Sequence, residues 1–477
     1  MPTTRVPLAI PYLCALASIV ITGVSCGRDA VAPTRDIAPS SLSAAGKPAG
    51  VAVSSASPSF GDRGTTVDVH VFGTGFTSGA EATWLLHGAA DPSHVHTNKT
   101  TVLSSTELVA NITVAADAQL AFWDVQVALL GGKNGVGSEL FEITSAQILG
   151  SGTPGGSING VFKGNDLLQV VGSANGGKTG SVAWLYDEQL GMVNLGSGEA
   201  RGIDPLGMAA LGANGNSAAT VWMRQPDNSW HAQALPAVAG SVGGMVTSAT
   251  RVAGSTLIGV GWQDLSGPRN TTQRIPVAWQ LGAGGAWSAP QLYVVPSSLS
   301  GTGLRATDVN ASGQTVGRND SNGGIVWETP TTYTVLDGNA VAINPSGTLI
   351  VGQRSGDGGA VFWWRDPGTH QWHLPAVAIP SVGGASCPRG VGRDVNDAGI
   401  IVGWSCSAAS SNTPTVWHLD LSVSPPVLAA PVVALPGLGV KNDIAAATTI
   451  TNIAPYVVSG EVSISNSQRV AVRWRVQ

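Results

Sequence analysis

The sequence predicts an all-β protein in which an N-terminal β-sandwich is followed by a seven-bladed β-propeller. Three observations predict it: short alternating strands begin near residue 50, a Gly–Trp pair recurs seven times after residue 150, and the composition suits strands and turns. Of 477 residues, 63 are Gly and 15 are Trp, whereas only 11% are charged. Such a chain is too long for one core, and its composition favours short folded strands joined by tight turns.

The first 25 residues have the features of an export signal. Arg5 provides a positive start, an apolar stretch runs to residue 24, and the small residues Gly23-Val24-Ser25 precede Cys26. This arrangement resembles a bacterial lipobox, although that motif usually has Leu where this chain has Gly23. The resemblance implies cleavage before Cys26 and lipidation of its thiol. Ordinary secretion with cleavage nearby is the alternative.

Residues 26–49 are rich in Ala, Pro, Ser and Thr without apolar periodicity, which predicts a flexible tether.

The remaining cysteines also agree with export. Cys14 belongs to the signal and Cys26 would carry the lipid, which leaves Cys387 and Cys406 for one disulfide in an oxidising compartment. The pair flanks a predicted turn at 396–399, and hairpin partners lie within disulfide reach. Two buried free thiols are the alternative.

Residues 50–145 are predicted to form the sandwich. Alternating runs at 66–72, 100–103, 107–114, 123–129 and 139–143 read as short strands separated by Gly- and Ser-rich turns. The segments 57–66, Gly73-Thr74-Gly75-Phe76 and 104–108 resemble the IPT/TIG family of immunoglobulin-like domains. That resemblance implies an immunoglobulin-like sandwich that acts as a spacer or a binding module, and it implies no chemistry.

Residues 146–477 contain the repeat, which has two anchors. One anchor is a glycine that ends a strand, and the other is a tryptophan that ends the next strand, 10 to 18 residues later. The glycines are Gly172, Gly212, Gly261, Gly317, Gly352, Gly403 and Gly460. The tryptophans are Trp184, Trp222, Trp279, Trp327, Trp363, Trp417 and Trp474. Their recurrence at one phase of the repeat predicts that the tryptophans fill core positions.

Four copies also share an apolar–Asn/Asp–x–x–Gly turn, at 203–207, 309–313, 343–347 and 395–399. The side chain of Asn or Asp stabilises such a turn, and Gly accepts its positive φ. The first, third and seventh copies lack the pattern, and the segment 372–374 is predicted as an outer strand. These copies resemble the HAF repeats of bacterial extracellular proteins, which implies an architecture without an activity. We expect a strand within residues 147–158 to complete the last blade and close the ring.

Two tryptophans fall outside the core pattern. Trp262 and Trp404 directly follow an anchor glycine in only two copies, so packing symmetry does not require them. They are the candidate contacts for a sugar or a peptide. In the sandwich, His94 and His96 could lie on one face of a strand near His87, but no completing ligand set accompanies them, and we predict no metal site.

No local motif for catalysis or for a cofactor is present. Only 24 Lys and Arg residues and a net charge of −5 argue against nucleic-acid binding. We therefore expect a monomeric, secreted or surface-lipidated binding or adhesion protein that contacts the membrane only through its lipid. Its propeller face would bind a glycan, a peptide or a surface protein. The alternative is an extracellular polysaccharide hydrolase or lyase whose carboxylates come from different blades.

Overall fold

The computed structural model describes residues 50–477, except 116–117, 120, 145, 153–155, 178–179, 268–270, 301–302, 322, 408–411, 430, 436–444, 466–467 and 477. Cys26, the predicted export signal and the predicted tether lie outside this range. The described chain is an all-β protein with two short 3-10 turns, at Ser297–Leu299 and Gly384–Ser386. Within these residues, no helix has the length and apolar character needed to cross a membrane.

The first part of the described chain consists of two facing sheets. Its strands are β1 (Ala52–Ser57), β2 (Phe60–Asp62), β3 (Thr66–Thr74), β4 (Glu81–Leu86), β5 (Ala89–Ala90), β6 (Val95–Ser104), β7 (Glu107–Val114), β8 (Phe122–Ala128) and β9 (Asn134–Thr144). One sheet has the order β1-β3-β7-β6 and the other β2-β9-β8-β4-β5. Both sheets contribute to one core around Trp84, Trp123 and Phe141. Alternating apolar residues, as in β7, supply the buried face of each strand.

The rest of the described chain forms antiparallel sheets that repeat a four-stranded pattern. The strands are β10 (Gln147–Gly150), β11 (Ile158–Gly164), β12 (Val170–Asn175), β13 (Ser181–Asp187), β14 (Gly191–Ile203), β15 (Ala209–Asn214), β16 (Ala219–Arg224), β17 (Trp230–Ala234), β18 (Ser241–Val252), β19 (Thr256–Ser266), β20 (Thr272–Gln280) and β21 (Gln291–Leu292). They continue with β22 (Arg305–Val309), β23 (Thr315–Arg318), β24 (Gly324–Thr329), β25 (Thr332–Leu336), β26 (Gly338–Ile343), β27 (Leu349–Arg354), β28 (Ala360–Trp364), β29 (Val377–Ala378), β30 (Gly390–Val395), β31 (Ile400–Ser405), β32 (Thr413–Asp420), β33 (Val427–Leu428), β34 (Val433–Ala434), β35 (Ala446–Ile450), β36 (Tyr456–Ser465) and β37 (Gln468–Val476).

We number the four-stranded groups as units 1 to 7 in chain order. Their innermost strands are β11, the second half of β14, β18, β22, β26, β30 and β35. Each innermost strand contacts that of the next unit, and β35 contacts β11, so the contacts among the described strands form a closed ring. The arrangement is β-propeller-like, and its four-stranded sheets are consistent with propeller blades.

Hydrophobic clusters at the seven junctions between units hold the ring together, and each contains one anchor tryptophan of the repeat. Trp222 packs with Val171 and Leu185 of unit 1, and Trp184 packs with Ala471 of unit 7. The seven anchor tryptophans are at most 2% exposed. The prediction that they are core residues is confirmed.

The predicted closing strand is present but shorter than expected. Strand β10 pairs antiparallel with β37, with Gln147 opposite Arg473, and thereby becomes the fourth strand of unit 7. Ile158, the other end of the predicted range, begins the innermost strand of unit 1 instead. The predicted outer strand at 372–374 was wrong: Val377–Ala378 pairs with β28, while Trp372 forms only an isolated bridge with Arg365.

Candidate functional site

The seven innermost strands share one irregularity, a β-bulge at the same position of each strand. A bulge leaves one residue without a partner and turns its side chain away from the regular alternation. The residues at the bulges are Phe162, Arg201, Thr247, Thr307, Val341, Arg393 and Thr448. All of them line one cavity on the ring axis, and we call them the bulge layer.

The bulge explains the anchor glycines. Each anchor glycine lies across from the bulged part of its innermost strand, for example Gly403 opposite Gly392. A Cβ added to Gly403 would lie 2.0 Å from the carbonyl oxygen of Val391, and one added to Gly261 would lie 1.9 Å from that of Met245. Only a residue without a side chain admits this carbonyl. The repeated glycine is therefore a consequence of the channel-lining bulge.

The residues that follow the bulges form a second layer, which is held by ion pairs. Lys163 donates to both carboxylate oxygens of Asp308 and to Oδ1 of Asp394, at 3.2 Å in each case. We call Lys163, Asp308 and Asp394, which come from units 1, 4 and 6, the ion-pair layer. Burial alone would lower the pKa of Lys163, but the two carboxylates outweigh it and raise that pKa.

Each carboxylate of the ion-pair layer is fully engaged. Asp308 also accepts the Ser248 hydroxyl at 2.6 Å and the Ile343 amide at 3.1 Å. Asp394 accepts the amide of Val395 at 3.1 Å, and its other oxygen accepts the hydroxyl of Thr449 and the amide of Ile450. Burial is the largest influence on Asp394 and raises its pKa, while Lys163 opposes that rise. The layer has the character of a structural bridge across the axis.

A cavity of about 380 Å³ lies on one side of the ion-pair layer, and we call it the turn-end cavity. The turns between the first and second strands of the units frame it. Each unit contributes at least one lining residue, among them Asp166, Leu206, Arg251, Ala311, Pro345, Asn396 and Asn452. Because the whole ring surrounds this cavity, its shape depends on every repeat.

The turns around this cavity are stabilised as the sequence predicts. The side-chain oxygen of Asn310 accepts the amides of Ser312 and Gln314, and Gly313 has a φ of +82°. Asn165 does the same in the first copy, where it accepts the amides of Leu167 and Gln169. The prediction that this copy is degenerate is therefore correct only for its glycine, since Leu168 takes the positive φ there.

Apolar side chains are exposed on the turns of neighbouring units beside the turn-end cavity. Leu167 of unit 1 is 53% exposed, Leu206 of unit 2 is 56% exposed and Ile453 of unit 7 is 63% exposed. Arg251, which lines the cavity, is already held by two hydrogen bonds of 2.7 Å to the carboxylate of Asp204. The rim therefore offers apolar surface beside polar turns, a combination typical of binding surfaces.

The bulge layer opens into a second cavity, of about 160 Å³, on the other side of the ion-pair layer. Four arginines line it, Arg201, Arg305, Arg318 and Arg393, and we call it the arginine cavity. Burial, together with the neighbouring positive charges, lowers the pKa of Arg318 to about 10. Arg393 retains solvent-accessible surface inside the channel, and burial by the surrounding strands lowers its pKa as well.

The two candidate contact tryptophans differ in their surroundings. Trp262 lines both the arginine cavity and a neighbouring groove of about 300 Å³ between units 1, 2 and 3, and the guanidinium of Arg274 lies 4.7 Å from its ring centre. Trp404 is half-buried opposite Val391 and Pro414 and lines neither of these cavities. Of the two candidates, Trp262 is therefore the one that lines these cavities.

The cysteine pair lies at the opposite end of its hairpin from the turn. Cys387 and Cys406 are joined by a disulfide with a Cα–Cα distance of 5.7 Å. Cys406 directly follows β31, and its amide donates to the carbonyl of Arg389. In the sandwich, His94 bonds to Asp91 at 2.6 Å, and His96 lies in β6. Within the described chain, no three His, Cys, Asp or Glu residues are grouped to hold a metal.

No family model matches the chain, and no curated protein matches it. Among solved structures, it is similar to a protein of unknown function from Bacteroides thetaiotaomicron, with 10% identity over 89% of this chain and 98% of that one and a TM-score of 0.38. An auxiliary nutrient binding protein from Bacteroides ovatus matches with 13% identity over 90% and 99%, and a TM-score of 0.33. Acylaminoacyl peptidase from Pyrococcus horikoshii matches with 9% identity over 68% and 53%, and a TM-score of 0.42. The β-propeller-like description rests on the chain's own sheets and contacts.

Proposed function

We propose that the protein is a non-enzymatic, extracytoplasmic binding protein that holds its ligand at the turn-end cavity. The observation that carries the proposal is the 380 Å³ cavity framed by all seven units, with exposed apolar side chains at its rim. A glycan, a peptide or a segment of a surface protein is the expected ligand class. Turns displayed by a rigid ring are suited to recognition, because the scaffold fixes their positions.

The remaining predictions complete this proposal. The ring is a seven-bladed β-propeller related to HAF-repeat proteins, which the seven innermost strands and the anchor glycines support. The sandwich is an immunoglobulin-like domain of the IPT/TIG type and serves as a spacer, which the pairing of β2 with β9 and the facing sheets support. The disulfide supports an oxidising location. Lipidation of Cys26 tethers the protein to a membrane, and palmitate labelling of the wild type and of Cys26→Ser tests it.

A binding screen with a matched pair of variants tests the function. Ala311→Trp introduces an indole into the turn-end cavity, whereas Ala398→Trp introduces it on an equivalent exposed turn whose Ala398 does not line the cavity. The purified chain is applied to glycan and peptide arrays. We expect binding that Ala311→Trp reduces at least tenfold and Ala398→Trp leaves unchanged. Equal loss in the two variants, or no ligand on either array, contradicts the proposal.

A hydrolase or lyase acting on extracellular polysaccharide is the second candidate. It is favoured by the meeting of Asp308 and Asp394, two carboxylates from different units, beside a cavity. Their complete engagement by Lys163, hydroxyls and amides argues against it, because an acid–base pair must reach its substrate. Release of reducing ends or unsaturated products from a polysaccharide panel, lost in Asp308→Asn, would establish this candidate instead.

A further inference from the structure

The arginine cavity is lined by cationic side chains from different repeats. Arg201 comes from unit 2, Arg305 and Arg318 from unit 4, and Arg393 from unit 6. Arg201 and Arg393 occupy the bulge of their strands, and Arg318 directly follows an anchor glycine. Four strands from three units therefore direct guanidinium groups to one small volume, about 160 Å³, on the ring axis.

Two of the four arginines already have carboxylate partners. Arg201 donates from Nε and Nη2 to Glu199, at 2.9 and 2.7 Å, and its guanidinium also lies 4.0 Å from the ring centre of Phe162. Arg305 is paired with Asp320. These pairs hold the two side chains in place and neutralise their charges, so they form the fixed part of the cavity.

Arg318 and Arg393 are different, because neither guanidinium group has a hydrogen bond or an ion pair with any described residue. The Nε of Arg318 is buried without an acceptor. Glu461 lies close enough to influence Arg393, but its carboxylate is paired with Arg469 at 3.1 Å. Arg318 is half-buried, and Arg393, although exposed to the channel, lies close enough for its positive charge to lower the pKa of Arg318. Two neighbouring guanidinium groups without acceptors repel each other. The arrangement is therefore incomplete without an acceptor that carries negative charge.

We propose that the arginine cavity binds an oxyanion, as a phosphate, a sulfate or the carboxylate of a small organic acid. A guanidinium presents parallel N–H donors that match the oxygens of these groups. The volume admits such a group and little more, and the indole of Trp262 at the wall can contact the part of the ligand that carries it. This site lies across the ion-pair layer from the turn-end cavity and does not depend on the proposed function.

Isothermal titration of the purified full chain tests the proposal at constant ionic strength in chloride buffer. The probes are inorganic phosphate, sodium galacturonate and neutral galactose. We expect heat from phosphate, galacturonate or both, and none from galactose. Preference for galacturonate identifies an acidic sugar as the ligand, and preference for phosphate identifies an inorganic or esterified oxyanion. Absence of heat from both anions overturns the proposal.

The residues are tested with Arg318→Gln and Arg393→Gln, and Arg354→Gln is the control because Arg354 pairs with Asp357 at an exposed position. Each cavity variant should weaken anion binding at least tenfold, and the control should leave it unchanged. Without anion, Arg318→Gln should unfold at the same or a higher temperature than wild type, because a repulsion is removed. Undiminished anion binding in both cavity variants also overturns the proposal. Ala311→Trp should leave anion binding intact, so failure here and failure of the turn-end proposal are separate results.

Discussion

The ion-pair layer and the bulge layer are neighbours on the same strands, but they differ in how their charged side chains are paired. Asp394 directly follows Arg393 in β30, and Lys163 directly follows Phe162 in β11. In the ion-pair layer every carboxylate oxygen has a donor, whereas in the arginine cavity two guanidinium groups have no acceptor among the residues that the structure describes. A fully satisfied buried network stabilises a fold, whereas polar groups left without partners in a cavity are available to a ligand. Along these strands, a structural layer and the proposed anion-binding layer are one residue apart.

Substitution of Lys163 is the strongest test of whether the ion-pair layer stabilises the ring. Lys163→Met leaves the carboxylates of Asp308 and Asp394 buried without a counter-charge, and we expect a loss of about 4 kcal/mol in the free energy of unfolding. Urea titration followed by tryptophan fluorescence measures it. Lys133→Met, at an exposed loop of the sandwich, should cost below about 0.5 kcal/mol. A similar small loss in Lys163→Met would mean that the layer does not stabilise the ring.

Removal of the disulfide tests how much the end of unit 6 opposite the 396–399 turn contributes to stability. Replacement of both Cys387 and Cys406 by Ser removes a cross-link between residues 19 apart, and we expect a loss of about 3 kcal/mol. The same urea titration measures it. Reductant should lower the stability of the wild type to that of the double variant and leave the variant unaffected. A wild type that is insensitive to reductant while its two thiols are shown to be free would contradict this.

An anchor glycine tests the bulge that forms the arginine cavity. In Gly403→Ala the new methyl would meet the carbonyl of Val391, so the two strands must separate, and we expect a loss of about 2 kcal/mol. Thermal and urea unfolding measure it. At Gly284 an added methyl meets nothing within 4 Å, and Gly284→Ala is the control. Equal effects of the two changes would show that the close approach is unimportant.

The smallest expected effects compare a hydroxyl that donates to the ion-pair layer with a hydroxyl of the bulge layer. Ser248→Ala removes a 2.6 Å hydrogen bond to the buried carboxylate of Asp308, which should cost about 1.5 kcal/mol. Thr448→Val removes a hydrogen bond to the neutral carbonyl of Ser459, which should cost about 0.5 kcal/mol. Paired urea titrations give the difference. A larger loss in Thr448→Val would reverse the assignment of the structural layer.

Much of the fold could be predicted because it depends on local, repeated signals. The anchor tryptophans could be assigned to a core, since a large apolar side chain at one phase of every repeat has few other uses. The Asn and Asp turns were identifiable because the side chain that accepts the turn amides and the glycine with positive φ lie within five consecutive residues. Strands such as β4 were missed because the consecutive apolar residues Trp84, Leu85 and Leu86 lack the alternation that marks a half-buried strand.

The arginine cavity could not be predicted, because a bulge breaks the alternation on which strand assignment depends. Arg201 lies between Ala200 and Gly202, and Arg393 lies between Gly392 and Asp394, so neither appears in an alternating pattern. One signal was available: each of these arginines stands three residues before the Asn or Asp of its turn, at Asp204 and Asn396. In other repeats the residue at this position is Phe162, Thr307 or Val341. Because these side chains differ so much in chemistry, the sequence did not show that they occupy equivalent positions.

The pairing of β10 with β37 has a consequence for the order in which the protein folds. The first strand of the ring region completes the last unit, so this contact joins segments separated by nearly the whole ring. Contacts of such long range form slowly. Because β37 is synthesised after all the other strands, β10 has no partner until unit 7 has been made. Until the two strands pair, β10 has unpaired backbone groups and β37 has an open sheet edge, and other chains can pair with either. The joining of these two strands ends the period in which the chain is most exposed to misassembly.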